Sequence, residues 1–310
     1  MRIFIGENGH VLITRMEPII NKMGHSFIRN NPSKCDVHLA FIRLENKINL
    51  PTIVRIDGIY YDLAKDYKGK NIGISEAHSK CEGIIYQSES SKKMCEKYLT
   101  PRKKNSITKV IYNGIEKIWA GNFKEHDGIN ILISAKWRRH KRLKEIIDLF
   151  MAFLKLNPDS TLHILGKLHE NKEVKHKRVK YYGMIPHSQM TDVMQNSDLS
   201  LHLSKRDSCP NSVVECLAMG IPIVTTESCG GATEMCMLSS GCIVCTGDKD
   251  NTEPGYPYSD EWNIIKPELF NSILLSMDQI LKNKTRSSFP DKLTIEYCCE
   301  EYVKILRKVI

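Results

Sequence analysis

The sequence has no apolar run long enough to cross a bilayer, so a membrane-spanning reading is excluded. Its first residues, MRIFIGENGH, lack the layout of a secretory leader: one Arg, a short apolar patch with Gly, then polar residues. A soluble, cytoplasmic chain is the expectation. There is no internal repeat and no low-complexity tract. The eleven cysteines are odd in number and dispersed, mostly in apolar contexts such as Cys216 and Cys298. That argues against a disulfide framework and agrees with a reducing compartment. Cys242 and Cys245 form a CxxC, but no second pair or His cluster completes a four-ligand zinc site. Strand alternation would also point these two side chains to opposite faces. Neither a metal nor a cofactor is expected.

What is present is enough for real cores: 41% of the 310 residues are apolar, which removes disorder as a reading. The length predicts two domains. The formal charge is +9, which fits nucleic acid, an anionic membrane surface touched peripherally, or a small phosphorylated ligand. The charge is uneven. Lys136, Arg138, Arg139, Lys141, Arg142 and Lys144 crowd one segment, and 167–180 is a second basic stretch.

Both halves read as alternating β and α segments. RIFI, VHLAF, TIVRI, GIIYQS and KVIYNGI (109–115) are predicted strands of the first half. INILISA, TLHILG, VKYYG, LSLHLS, PIVTT and CIVCTG are predicted strands of the second. Leu143, Ile146, Ile147, Phe150, Phe153 and Leu154 recur at helical spacing. Further helices are predicted at 187–196, 212–219, 267–282 and 291–309. Such alternation implies parallel sheets covered on both faces. Two tandem series imply two Rossmann-like, doubly wound α/β domains, 1–118 and 128–290, with ligands at the carboxyl ends of strands. Residues 116–128 read as the linker, and 291–310 is free to pack back on the first domain.

The densest signal lies in SKRDSCPNSVVECLAMGIPIVTTESCGGATEM (204–235). Asp207 precedes Glu215 by eight positions, with a turn between them that opens a helix. Asn211 or Ser212 is the predicted N-cap, and Glu215 falls in the first turn. A helix N-terminus is an anion site. Gly220-Ile-Pro222 and Gly230-Gly231-x-x-Glu234 follow. A capped helix with a dipole-compensating Glu explains Glu215 alone. It does not explain the whole coincidence.

This window resembles the donor-binding core of the retaining glycosyltransferases of family 4. Their pattern is Glu-x7-Glu, a Gly-x-Pro-Val-Val-like strand, then Gly-Gly-x-x-Glu. The resemblance implies the GT-B fold. It also implies that Glu215 binds the ribose hydroxyls and that Asp207, one methylene shorter than the usual Glu, contacts the donor sugar. Backbone N–H groups of Asn211, Ser212 and Val213 would face phosphate and sugar. The family's Gly-Arg step and following Lys fall on Lys136 and Lys141, which would hold the diphosphate, with Arg138 as a substitute cation. Gly183, Met184 and Ile185 fall on the segment that holds the base. Gly9 falls in the loop that approaches the donor phosphate. Arg55 and Asp57, at a strand's carboxyl end, are the acceptor-side candidates, with structural salt bridging as the other reading. His78 reads as a surface or helix-facing residue. Composition and compactness resemble members encoded by large DNA viruses.

The resemblance implies transfer of a sugar from a nucleoside-diphosphate sugar, GDP-mannose or UDP-glucose first, to a glycan, glycoprotein or other hydroxyl acceptor, without metal. A sugar-nucleotide epimerase of the same fold is the alternative. A nucleic-acid-binding role gives no reason for Asp207, Glu215 and Glu234 beside the basic segment, since carboxylates repel phosphodiesters. Asp248-Lys-Asp250 matches the Asp-x-Asp metal motif of another glycosyltransferase fold, but its polar surroundings predict a solvated turn.

Overall fold

The computed structural model describes residues 1–6, 11–44, 48–62, 66–117, 123–168, 173–249 and 260–310. Two compact units result. Met1–Glu116 and Asp291–Ile310 form the first, and the described residues between Lys117 and Pro290 form the second.

The first unit contains β1 (Arg2–Phe4), α1 (Val11–Lys22), β2 (Ser26–Ile28), β3 (Val37–Phe41), β4 (Thr52–Ile56), α2 (Tyr67–Lys80), β5 (Gly83–Tyr86), α3 (Glu89–Tyr98) and β6 (Ile107–Val110). All neighbouring strands are parallel, in the order β2-β1-β3-β4-β5-β6. Consecutive side chains of a strand face opposite sides of the sheet. Ile53 and Ile85 therefore join one core, and their neighbours Val54 and Ile84 join the other. Burying each such side chain contributes about 2 kcal/mol.

The second unit contains β7 (Ile129–Ser134), α4 (Leu143–Leu156), β8 (Ser160–Leu165), β9 (Val179–Gly183), α5 (His187–Gln195), β10 (Leu199–His202), α6 (Asn211–Ala218), β11 (Ile223–Thr226), α7 (Gly231–Leu238), β12 (Ile243–Cys245), α8 (Asp260–Asn263) and α9 (Pro267–Lys282). Its parallel sheet has the order β12-β11-β10-β7-β8-β9. The apolar stripe of α4, Ile146, Ile147, Phe150 and Phe153, packs in one core with Leu269, Ile273, Met277 and Ile280 of α9.

The chain returns to the first unit with α10 (Ile295–Leu306). Thr294 caps it, accepting from Tyr297 N at 3.2 Å, and its buried Cys298, Tyr302 and Leu306 share a core with Leu12, Met16 and Ile20 of α1. No described helix is long and apolar enough to cross a membrane.

Several expectations change. The predicted strand 109–115 stops at Val110. Beyond it Ile115 bridges Thr294, and a Cβ on Gly114 would lie 2.6 Å from Ile295 Cα. The chain leaves the sheet there to meet the start of α10. Of the predicted linker, 123–128 is already tied to the second unit: Lys124 N donates to Gln195 O at 3.0 Å, and Arg286 stacks 3.5 Å over the Phe123 ring. α2 has no apolar stripe to read. It opens on Asp66, whose carboxylate accepts from Gly69 N, and buries Ile74, Ala77 and His78.

Candidate active site

In the second sheet the strand order reverses between β7 and β10. Connections leaving the two strands run to opposite sides, which opens a crevice at their carboxyl ends. After β7, Trp137 anchors the loop. It is buried, its indole N–H donates to Leu165 O at 2.8 Å, and its backbone N–H donates to Lys167 O at 3.1 Å. The turn Arg139–Lys141 follows. The loop after β10 is tied to it through Lys205 N, which donates to His140 O at 2.9 Å.

Across this crevice Lys141 Nζ ion-pairs with Asp207 Oδ2. His202, at the end of β10, places Nε2 3.3 Å from the same oxygen. Burial pushes the Asp207 carboxyl up, but Lys141 and His202 outweigh it and hold the group well below the usual carboxylate range. Burial lowers the His202 imidazole, against the pull of Asp207 and with the push of Lys141. Asp207 is therefore an ionised acceptor beside a cation.

Backbone geometry explains why Asp207 occurs together with the glycine pair. Asp207 and Gly230 form a parallel bridge, in which Asp207 N donates to Cys229 O at 3.3 Å and Gly231 N to Asp207 O at 2.8 Å. Gly230 sits at φ 63°, ψ −120°, a region open in practice only to glycine. The N-cap of α6 is Pro210, not Asn211 or Ser212, and no side chain caps it. Glu215 is thus the fifth residue of α6, past the first turn, and only 9% exposed. Val213 N donates to Pro210 O at 3.1 Å. The first-turn N–H groups of Asn211 and Ser212 are those that point out of the helix.

The remaining predicted groups are spread more widely. Lys136 and Arg138 are exposed, and Lys141, not Lys136, reaches Asp207. Gly183 has φ 63° with open space around it, Ile185 is half-buried and Met184 exposed. Gly183 O accepts from Gly166 N at 2.8 Å, which fixes this segment to the end of β8. Gly9 lies outside the described residues. Among the described residues no cluster of His, Cys, Asp and Glu is arranged to hold a metal ion.

Asp248 does not lie in a solvated turn. It is 8% exposed and receives the Arg142 guanidinium, Nη1 to Oδ2 at 2.5 Å and Nη2 to Oδ1 at 3.0 Å. Arg142 itself is 0% exposed. The sequence places Arg142 in a basic segment without showing that it is buried, and it does not mark Asp248 or His202 as interior polar groups. No local pattern marks them, because Arg142 and its partner Asp248 lie 106 positions apart in the chain.

In the first unit Arg55 is 0% exposed. It donates to Asp57 Oδ1 at 2.5 Å and to Asn113 Oδ1 at 2.7 Å. Arg55 is therefore not an acceptor-facing cation; it orients Asp57, whose side chain is 36% exposed and also accepts from Gln87 Nε2. His78 is buried, not at the surface. It pairs with Thr100 O at 2.7 Å and Tyr86 Oη at 2.9 Å.

Residues 115–252 match the family model of glycosyl transferases group 1. The described part of that match holds all six strands of the second sheet, with Lys141, Asp207 and Gly230 in the loops that follow β7, β10 and β11. No curated protein matches the chain by sequence. Solved structures share the fold along the whole chain. Sucrose-phosphate synthase from Thermosynechococcus elongatus is 10% identical, with TM-score 0.66, covering 99% of this chain and 98% of that one. Anabaena HepE in complex with UDP-glucose is 14% identical, with TM-score 0.62, covering 100% and 98%. WaaG, a glycosyltransferase of lipopolysaccharide biosynthesis, is 12% identical, with TM-score 0.65, covering 99% and 99%. Two parallel six-stranded sheets flanked by helices, shared with these proteins, are the GT-B fold.

Proposed function

We propose that this protein is a retaining, metal-independent glycosyltransferase. It moves a sugar from a nucleoside-diphosphate sugar to a hydroxyl of a glycan or glycoprotein. The carrying observation is the Lys141–Asp207 pair at the strand-order reversal, joined through the backbone to Gly230. Lys141 and the first-turn N–H groups of α6 receive the diphosphate. Glu215 receives the ribose, and Asp207 the sugar hydroxyls. The acceptor oxygen forms the new bond to the anomeric carbon as the bond to the diphosphate breaks. The leaving electron pair goes to the phosphate oxygen, and the acceptor proton follows it there. Negative charge grows on the diphosphate in that step, so fixed cations lower the barrier. In the first unit Asp57, oriented by Arg55 and Gln87, is the candidate contact for an acceptor.

UDP-glucose is the first donor to try, because a structural neighbour binds it; GDP-mannose is the second. Calorimetry with UDP-, GDP-, ADP- and CDP-sugars in chelator tests the reading. Binding of one, followed by product with the donor's anomeric configuration in NMR, supports it. A product of inverted configuration, or a strict metal requirement, overturns the mechanism. Conversion of donor alone identifies an epimerase instead.

A further inference from the structure

Arg142 follows Lys141 directly, and its backbone is left-handed, at φ 56° and ψ 41°. A non-glycine residue pays about 1 kcal/mol for that conformation. The side chain of this strained residue is fully buried and forks onto Asp248, 106 positions away. Its Nη1 also lies 3.3 Å from Leu203 O, just past β10. Asp248 Oδ2 accepts in addition from Thr226 Oγ1 at 2.9 Å and Ser228 Oγ at 2.6 Å. Lys205 Nζ stands 3.8 Å from Oδ1. The Asp248 backbone N–H donates to Glu227 Oε1 at 3.0 Å. One carboxylate thus joins the loops that leave β7, β10, β11 and β12.

Such a network is a poor source of stability, since a buried ion pair roughly breaks even against apolar packing. It is a good source of geometry, because Asp248 is held by Arg142, Thr226 and Ser228 at once. The left-handed turn drives residue 142 into the interior, while the residue before it is aimed across the crevice.

We propose that Arg142 and Asp248 are positioning residues, whose buried ion pair holds Lys141 against Asp207 and so sets the diphosphate-binding geometry. Neither residue touches the donor. The link to diphosphate rests on the function proposed above; the link to Lys141 does not.

The test compares Arg142→Gly, Lys141→Ala and the double variant. Glycine accepts the left-handed backbone, so the change removes the guanidinium and relieves the strain. The first readout is NMR titration of the His202 ring, which needs no substrate. Lys141 depresses the His202 imidazole. If the fork positions Lys141, Arg142→Gly raises the His202 midpoint as Lys141→Ala does, and the double variant adds nothing. His163, buried elsewhere in the sheet, stays unmoved. The second readout is UDP affinity by calorimetry. It falls about tenfold or more in either single variant, without further loss in the double.

A variant that melts lower but keeps the wild-type His202 midpoint and UDP affinity overturns the proposal, as do additive losses. If Arg142→Gly fails to fold, Asp248→Asn replaces it, with the same expected and overturning results. If wild-type protein binds no nucleoside diphosphate, the donor reading fails, and the His202 shift alone decides the positioning role.

Discussion

Lys141 Nζ and Asp207 Oδ2, 66 positions apart in the chain, meet as an ion pair where the strand order of the second sheet reverses. His202 lies against the same carboxylate. The pair is a cation and an acceptor held side by side at the edge where a diphosphate and a sugar would arrive. Lys141→Ala should lower turnover of the preferred donor by about 100- to 1,000-fold, the usual loss when one charge-stabilising donor is removed. Circular dichroism should be unchanged. An active, normally folded Lys141→Ala protein removes Lys141 from the mechanism.

Asp207 also sets an acid limit on stability. Its carboxyl is depressed in the folded state, so the native protein binds fewer protons than the unfolded chain. The resulting stability is fully present above the unfolded value of about 3.9 and is lost as pH falls through the folded value. Asp207→Asn should therefore cost about 2 kcal/mol at pH 7 and progressively less below pH ~4. Urea titrations of both proteins from pH 3 to 7 measure this. A difference that stays constant with pH counts against the pair as its origin.

Buried histidines act in a higher window. Burial lowers His38 and His163 to about 4 each. In both, the unfolded chain takes up a proton first, so stability holds above the ordinary value near 6.5 and declines as pH falls toward 4. Fully developed, each contributes about 3 kcal/mol. Urea midpoints should fall steadily from pH 6.5 to 4, and neither ring should titrate above pH 5 in NMR. A midpoint near 6.5 for either ring contradicts its burial as a neutral group.

Two glycines of the candidate site should respond differently to alanine. Gly166 has φ 98°, and a Cβ there would lie 1.9 Å from Ala135 O, whereas Gly183 has φ 63° and open surroundings. Gly183→Ala should cost about 1 kcal/mol, the left-handed penalty alone. Gly166→Ala should cost several times as much, because the β7 and β8 loops must also separate. Thermal melts of the two variants give the comparison, and equal losses would show that the close approach has no energetic weight.

Most of the architecture follows from local pattern. Strands such as TIVRI and GIIY are buried on both faces, so their short runs rich in β-branched residues, without apolar–polar alternation, mark a parallel sheet before any contact is known. The helix Pro267–Lys282 is bounded by its own residues, Pro at its start and an apolar stripe along its length. Asp207, Glu215 and the glycine pair share one 32-residue stretch, which is why they were legible together. Elements without a local pattern, such as the three-residue β2 and the polar α2, were not.

The interior polar groups belong to tertiary structure alone. Whether Arg142 is a surface cation or a buried fork, and whether Asp248 faces water or a guanidinium, depends on partners 106 positions apart. The strand order decides it by bringing the loops after β7, β10, β11 and β12 to one edge. The same holds for His202 beside Asp207 and for Arg55 behind Asp57. Residue type states what a side chain can bind. Only the packing of distant segments removes water from around it and fixes its partners.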